Sequence, residues 1–96
     1  MGKVIINEIF REDEGRGMRL LFDQYYQVLL LYASRFVEDA SSVEDIVQEC
    51  FVKFWIHRHF EHLDEDFSKY LYTSVKIAYL NHIRSQKRRL QHHTFF

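Results

Sequence analysis

The chain of 96 residues is long enough for one small domain, and its 47% hydrophobic and 28% charged residues are typical of a folded, water-soluble protein. The absence of proline and the count of three glycines exclude a turn-rich β-sandwich. A single cysteine excludes an internal disulfide framework and favours a cytoplasmic protein. No apolar run approaches the roughly 20 residues that span a bilayer, which excludes membrane insertion. The net charge of −1 divides into −7 for residues 1–66 (7 Lys/Arg, 14 Asp/Glu) and +6 for the acid-free residues 67–96, which predicts two different partners, one of them polyanionic.

The N-terminal region is predicted as a short helix followed by a break. Residues 1–17 form an N-terminal segment, in which residues 4–14 can form a short helix before Gly15 and Gly17 interrupt it. From residue 18 to residue 37 apolar side chains recur every three or four positions, which predicts the first long helix. Its apolar positions are Met18, Leu21, Phe22, Tyr25, Val28, Leu29, Tyr32 and Phe36.

Polar residues 38–42 separate this helix from the second long helix. Ser41 and Glu44 have the spacing of a capping box, in which each side chain satisfies a free amide at the helix start. The buried face that the periodicity predicts consists of Val43, Ile46, Val47, Cys50, Phe51, Phe54 and Trp55. Cys50 in this line is expected to be a small apolar core residue.

Residues 57–66 lack periodicity and are predicted to form a loop. Asp66 then caps the third long helix, which runs from residue 67 to about residue 88. Its inward line consists of Phe67, Leu71, Ser74, Val75, Ala78 and His82. The prediction is therefore an all-α fold, a compact bundle of three long helices within residues 18–89, with the short N-terminal helix before it and a tail at residues 90–96.

The outward face of the second long helix carries two apolar residues within a polar surface. Helical geometry places Asp45, Gln48, Glu49, Val52 and Ile56 together, opposite the buried line. A solvated surface explains the acidic residues and the amide, and single exposed apolar residues are common. An apolar pair rimmed by polar groups is also what a docking site for a partner helix needs. Both interpretations stay open on this pattern.

Cations and aromatic residues alternate along one side of the third long helix. The stripe consists of Lys69, Tyr72, Lys76, Tyr79, Ile83 and Lys87, and Arg84, Arg88 and Arg89 extend its positive end. Lysines can supply phosphate contacts and tyrosine rings offer faces on which unpaired bases can stack, so binding of single-stranded nucleic acid is one interpretation of the stripe. The cluster of cations at its end favours a polyanion. The alternative is an amphipathic helix whose tyrosines pack at the edge of the core while its lysines face water.

Three histidines of the predicted loop, His57, His59 and His62, lie near Asp64 and Asp66 and form a candidate metal site. Structural zinc sites take four ligands from two anchored elements and often include cysteines, so a loop with one distant cysteine is a poor match. The sequence contains no nucleophile–base order, paired-carboxylate pocket or glycine-rich phosphate loop. We therefore expect a protein that is not an enzyme and needs no metal or cofactor.

With these residues laid out, the chain resembles region 2 of the extracytoplasmic-function (ECF) group of the sigma-70 family, the bacterial transcription initiation factors. Residues 22–26 (FDQYY) look like the first long helix of that family. Residues 43–51 (VEDIVQECF) with Phe54 and Trp55 are similar to its acidic core-binding motif, which is the most specific match. Residues 67–84, with YLYT at 70–73 and NHIR at 81–84, look like its promoter-reading helix.

The resemblance implies two partners. It places Asp45, Gln48, Glu49, Val52 and Ile56 against a coiled coil on the clamp of the largest subunit of RNA polymerase. It implies that the third long helix and the loop before it melt the minus-ten promoter element and capture a flipped base of the non-template strand. The base-capture loop is then formed by His57, Arg58, His59 and His62, and DNA is bound by Lys69, Tyr72, Thr73, Lys76, Tyr79, Arg84, Lys87 and Arg88. The resemblance also admits an anti-sigma factor as a further partner.

The chain departs from the family pattern in ways that bear on promoter reading. Lys76 and Ile77 stand where Arg-Asn is frequent, so a planar guanidinium and a polar base contact are replaced, and Asn81 stands where Asp is frequent. The helix-turn-helix domain that reads the minus-35 element is not in the sequence, so we expect an excised fragment. The alternative function is a helical protein–protein adaptor whose basic end is only solvated.

Overall fold

The computed structural model describes residues 3–62 and 66–94, with side chains described for residues 6–62 and 66–90. It contains four α-helices: α1 (Lys3–Glu12), α2 (Glu14–Ser34), α3 (Ala40–Ile56) and α4 (Phe67–Thr94). A 3₁₀ turn (His59–Glu61) lies between α3 and α4. No strand occurs in these ranges, and the predicted all-α bundle of three long helices with a short N-terminal helix is confirmed.

The break between α1 and α2 lies at Asp13 and not at the two glycines, which corrects the predicted interruption. The Asp13 carboxylate accepts a hydrogen bond from the backbone N–H of Arg16 at 3.1 Å and so caps α2. Gly15 and Gly17 are inside the first turn of α2. Gly17 is buried because α1 packs directly against it: a Cβ added there would lie 2.6 Å from the ring of Phe10.

Asp39 caps α3, so the predicted capping box of Ser41 and Glu44 is wrong. The Asp39 carboxylate accepts hydrogen bonds from the hydroxyl of Ser42 at 2.7 Å, the hydroxyl of Ser41 at 3.1 Å and the backbone N–H of Ser42 at 3.1 Å. Ser41 thus holds the Asp39 carboxylate in place, and Asp39 is the capping residue. These hydrogen bonds stabilise the ionised carboxylate and so lower the pKa of Asp39 from its ordinary 3.8, and the bond from the Ser42 hydroxyl has the largest effect.

Replacing this cap, Asp39→Ala, should lower the melting temperature near neutral pH and matter less as the solution becomes acidic. Because the folded-state pKa of Asp39 is lowered, its ionised form stabilises the fold above the unfolded-state value and that contribution is lost as pH falls through the folded-state value. Thermal unfolding followed by circular dichroism from about pH 7 to about pH 2 measures both effects. Asp23→Ala, which removes an exposed carboxylate inside α2, is the control. An Asp39→Ala deficit that persists at the lowest pH would contradict the assignment.

The hydrophobic core draws on all four helices. Fully enclosed side chains include Leu21, Leu29, Val47, Phe54, Leu71 and Val75, and α1 adds Ile6 and Phe10. Cys50 is buried among them as expected, and burial raises the pKa of its thiol. Four residues that the apolar periodicity assigned to these lines are instead about half exposed: Phe22, Val28, Phe36 and Trp55. They lie at the edges of the apolar stripes, where the bundle leaves α2 and α3 uncovered.

Asp66 caps the start of α4 as predicted, since its carboxylate accepts hydrogen bonds from the backbone N–H of Ser68 at 3.0 Å and from the hydroxyl of Ser68 at 2.6 Å. The helix continues to Thr94, past the predicted end near residue 88. All described side chains from Arg84 to Leu90 are exposed. The final turns of α4 therefore extend beyond the core. Within the described ranges, no helix has the length and apolar character that a bilayer span requires.

Candidate functional site

The α3 outer face, defined by Asp45, Gln48, Glu49, Val52 and Ile56, is exposed along its whole length. Val52 is 51% and Ile56 is 64% exposed, so neither apolar residue is used by the core. Glu49 forms an ion pair with Lys53 one turn away, at 3.5 Å. The Gln48 amide donates a hydrogen bond to the hydroxyl of Tyr26 on α2 at 3.3 Å, which ties this face to the neighbouring helix.

An apolar groove of about 580 Å³ runs between α2 and α3 beside this face. Phe22 of α2 and Trp55 of α3 form its two aromatic walls, and Phe51, packed 5.1 Å from the ring of Phe22, lies beneath them. The residues that line this α2–α3 groove are Gly15, Met18, Phe22, Gln48, Phe51, Val52 and Trp55. The sequence prediction missed Phe22 and Trp55 as surface residues, because their spacing also fits the buried stripe.

The exposed face of α4 carries the predicted cations and few other charges. Lys69, Thr73, Lys76, Arg84, Lys87 and Arg88 are all exposed. We call the five charged members the α4 cations. Tyr72 lies at the border between these cations and α2: it is 36% exposed, and its ring meets Tyr32 edge-on with centroids 5.1 Å apart. Part of the Tyr72 side chain is therefore open to solvent while the contact with Tyr32 holds the ring in place.

Tyr79 does not share this position, which corrects its assignment to the DNA-binding set. Its side chain is only 5% exposed and its ring stacks on Phe36, with centroids 4.4 Å and planes 7° apart. Burial raises the pKa of the Tyr79 hydroxyl. Of the two roles considered for this residue, packing at the edge of the core is the one that its contacts fit.

The described part of the loop, residues 57–62, is anchored by a phenylalanine that the sequence prediction overlooked. Phe60 is 2% exposed and stacks on Phe10 of α1, with ring centroids 5.0 Å apart. Arg58 adopts a left-handed conformation with φ of 52°. Its guanidinium donates to Glu14 at 2.7 Å and to Glu61 at 3.2 Å, so this predicted base-capture residue is engaged within the protein.

The three loop histidines are close together but differ in burial. His59 is partly buried, with its ring centroid 3.9 Å from that of Tyr70, whereas His57 and His62 are exposed. The ring centroids of His57 and His62 lie 6.5 Å and 5.9 Å from that of His59. Among the described side chains, residues 6–62 and 66–90, no three histidine, cysteine or acidic groups are placed together as metal ligands. Asp64, part of the candidate metal set, lies outside the described residues.

Comparison with known proteins assigns most of the bundle to one family. Residues 21–89 match the Sigma-70 region 2 family. Curated relatives include the ECF RNA polymerase sigma factor SigL in three strains of Mycobacterium tuberculosis, each 45% identical to this chain over 44 residues. The aligned stretch covers 46% of this chain but only 25% of SigL, so the chain matches about a quarter of these relatives. No solved structure matches the chain significantly.

Proposed function

Because the chain belongs to the Sigma-70 region 2 family, we propose that it is the part of an ECF sigma factor that joins RNA polymerase to promoter DNA in the cytoplasm during transcription initiation. It acts by binding and not by catalysis. The observation that carries the proposal is the pairing of two unlike exposed surfaces on one small bundle. An apolar groove lies between α2 and α3 beside the α3 outer face, which carries Asp45 and Glu49, and a line of cations lies on α4.

The polymerase partner docks on the α3 outer face and in the α2–α3 groove. Val52 belongs to both, so an apolar side chain of the clamp coiled coil entering the groove would lie against Val52, Phe22 and Trp55. Asp45 and Glu49 on the α3 outer face suit basic residues on the partner helix, which fix its register. Exposed aromatic side chains around a groove are typical anchors of helix-in-groove docking. An anti-sigma factor would inhibit by covering this same surface.

The DNA partner lies along α4 as an unpaired strand. The α4 cations contact phosphates, and a base stacks on Tyr72, which is 36% exposed. Residues 57–62, at the N-terminal end of α4, contribute to the pocket for a flipped base, with His57 and His62 as its exposed side chains. Ile77 is 56% exposed on α4 and can offer a base only an apolar contact. Any preference among bases at Ile77 therefore depends on the shape of the base and not on hydrogen bonds.

Substituting Tyr72 and Tyr79 separately tests this arrangement. Tyr72→Ala should weaken binding of single-stranded DNA by about 1–3 kcal/mol with little change in melting temperature or salt dependence, because one stacked base is lost. Tyr79→Ala should lower the melting temperature and leave affinity unchanged once only folded protein is counted, because its ring is buried. Lys76→Ala should reduce the slope of log affinity against log salt by about 0.7.

Fluorescence anisotropy with random-sequence single-stranded oligonucleotides over a salt series measures all three variants. Equal affinities for the unmodified chain and Tyr72→Ala would make Tyr72 a packing residue. Binding that does not depend on salt, or no binding at all, would remove DNA from the function and leave the adaptor alternative.

A further inference from the structure

The loop before α4 is held from outside by the N-terminal helix. Phe10 of α1 stacks on Phe60 in the loop, with ring planes 7° apart, and lies edge-on to Phe67, the first residue of α4, at 5.7 Å. Gly17 of α2 also packs closely against Phe10, since a methyl group added at Gly17 would lie 2.6 Å from the Phe10 ring. The Phe10 ring is therefore fixed between α2, the loop and α4.

A second contact reaches the loop from the start of α2. Arg58 has a left-handed backbone conformation, which residues other than glycine adopt rarely and keep only where surrounding contacts impose it. Glu14, the first residue of α2, accepts a hydrogen bond from the Arg58 guanidinium at 2.7 Å. The same guanidinium lies 4.9 Å from the centre of the Phe60 ring, so the two anchors of the loop also touch each other.

From these contacts we infer that Phe10 and Glu14 are positioning residues for base capture, acting through Phe60 and Arg58 without touching the nucleic acid. The inference rests on the proposed role of the loop. A flipped base is bound only if its pocket offsets the loss of stacking, and a pocket already held in its binding shape loses less entropy on binding. Phe10 and Glu14 precede residues 21–89, so this support comes from a part of the chain outside the family match.

A scan with abasic sites tests the inference. An oligonucleotide is selected from a random single-stranded pool with the 96-residue chain and then remade with one abasic site at each position in turn. In the unmodified chain, the abasic site at the captured base should weaken binding about five- to hundredfold. Glu14→Ala should reduce this loss of affinity about two- to fivefold, the range of a single partly exposed ion pair. Phe10→Leu should reduce it at least as much, because the Phe10 ring is buried against Phe60. Both variants should leave the salt slope unchanged.

Two matched variants separate positioning from stability. Ile6→Val trims another buried residue of α1 and should lower the melting temperature without changing the abasic ratio. Glu12→Ala removes an exposed carboxylate near Glu14 and should change neither. Unchanged ratios in both Phe10→Leu and Glu14→Ala, with the proteins folded, would overturn the inference while the proposed function stands. If the unmodified chain binds strands in a salt-dependent way but shows no sensitive position, base capture itself is wrong and the inference falls with it.

Discussion

Phe54→Ala should lower the free energy of unfolding by about 3–5 kcal/mol, the range for removing a fully buried phenylalanine. Phe54 has no exposed surface, and its ring centroid lies 5.2 Å from that of Phe67 and 5.7 Å from that of Tyr70. It also meets Phe10 at 6.1 Å and Phe60 at 6.3 Å, so it joins α1, α4 and the loop to α3. A domain of this size has a free energy of unfolding of only about 5–15 kcal/mol, so the variant should lose from about a fifth to all of its stability.

Urea unfolding followed by circular dichroism measures the loss, and the melting temperature should fall by more than about 12 °C. Phe36→Ala is the matched control, because Phe36 is 46% exposed although it stacks on Tyr79. Its loss should be about half as large, in proportion to the smaller buried area of the Phe36 side chain. Equal losses in the two variants would show that Phe54 is not the centre of the core.

Val52→Glu should weaken polymerase binding by at least about thirtyfold while the chain remains folded. Val52 is 51% exposed and lines the α2–α3 groove, so a carboxylate there would be carried into an apolar contact and lose its hydration. Removing a central contact of an interface commonly costs about 2 kcal/mol or more. Binding of the chain to purified RNA polymerase core, measured by biolayer interferometry, gives the affinity, and circular dichroism gives the melting temperature.

Val28→Glu provides the control for this experiment. Val28 is 41% exposed on α2 but is not among the residues of the α2–α3 groove, so the same change there should leave polymerase binding intact. Loss of binding in both variants would mean that added charge and not the groove is responsible. Loss of fold in Val52→Glu would contradict the exposure of Val52 and with it the docking surface.

The long helices and most of the core could be predicted because apolar spacing near 3.6 residues follows directly from helix geometry. The position of a helix start was harder, since Asp39 and Ser41 are both good caps two residues apart and only the folded chain selects the carboxylate that three donors reach. Phe60 carried no periodic signal, because it lies in a loop and is buried by contacts that include the sequence-distant Phe10.

The candidate surfaces could be predicted only in part, because helical spacing identifies the middle of a face but not its margins. Exposed residues in the middle of a helical face, such as Val52, stand out from sequence because the opposite face is plainly apolar. Phe22 and Trp55 could not be assigned, since a residue at the margin of an apolar stripe is covered only if another helix lies over it. Tyr72 and Tyr79 follow the same helical spacing, and their different exposure depends on where Tyr32 of α2 and Phe36, two residues beyond the end of α2, contact α4.

The close approach of Gly17 to Phe10 restricts the order in which this chain can accumulate mutations. Any side chain at position 17 would bring its Cβ to 2.6 Å from the ring, so it is unfavourable as long as position 10 is aromatic. A smaller residue at position 10 relieves that conflict but leaves a void beside Phe60. The two positions are thus epistatic, and among descendants of this sequence a larger residue at 17 should be found only together with a change at 10.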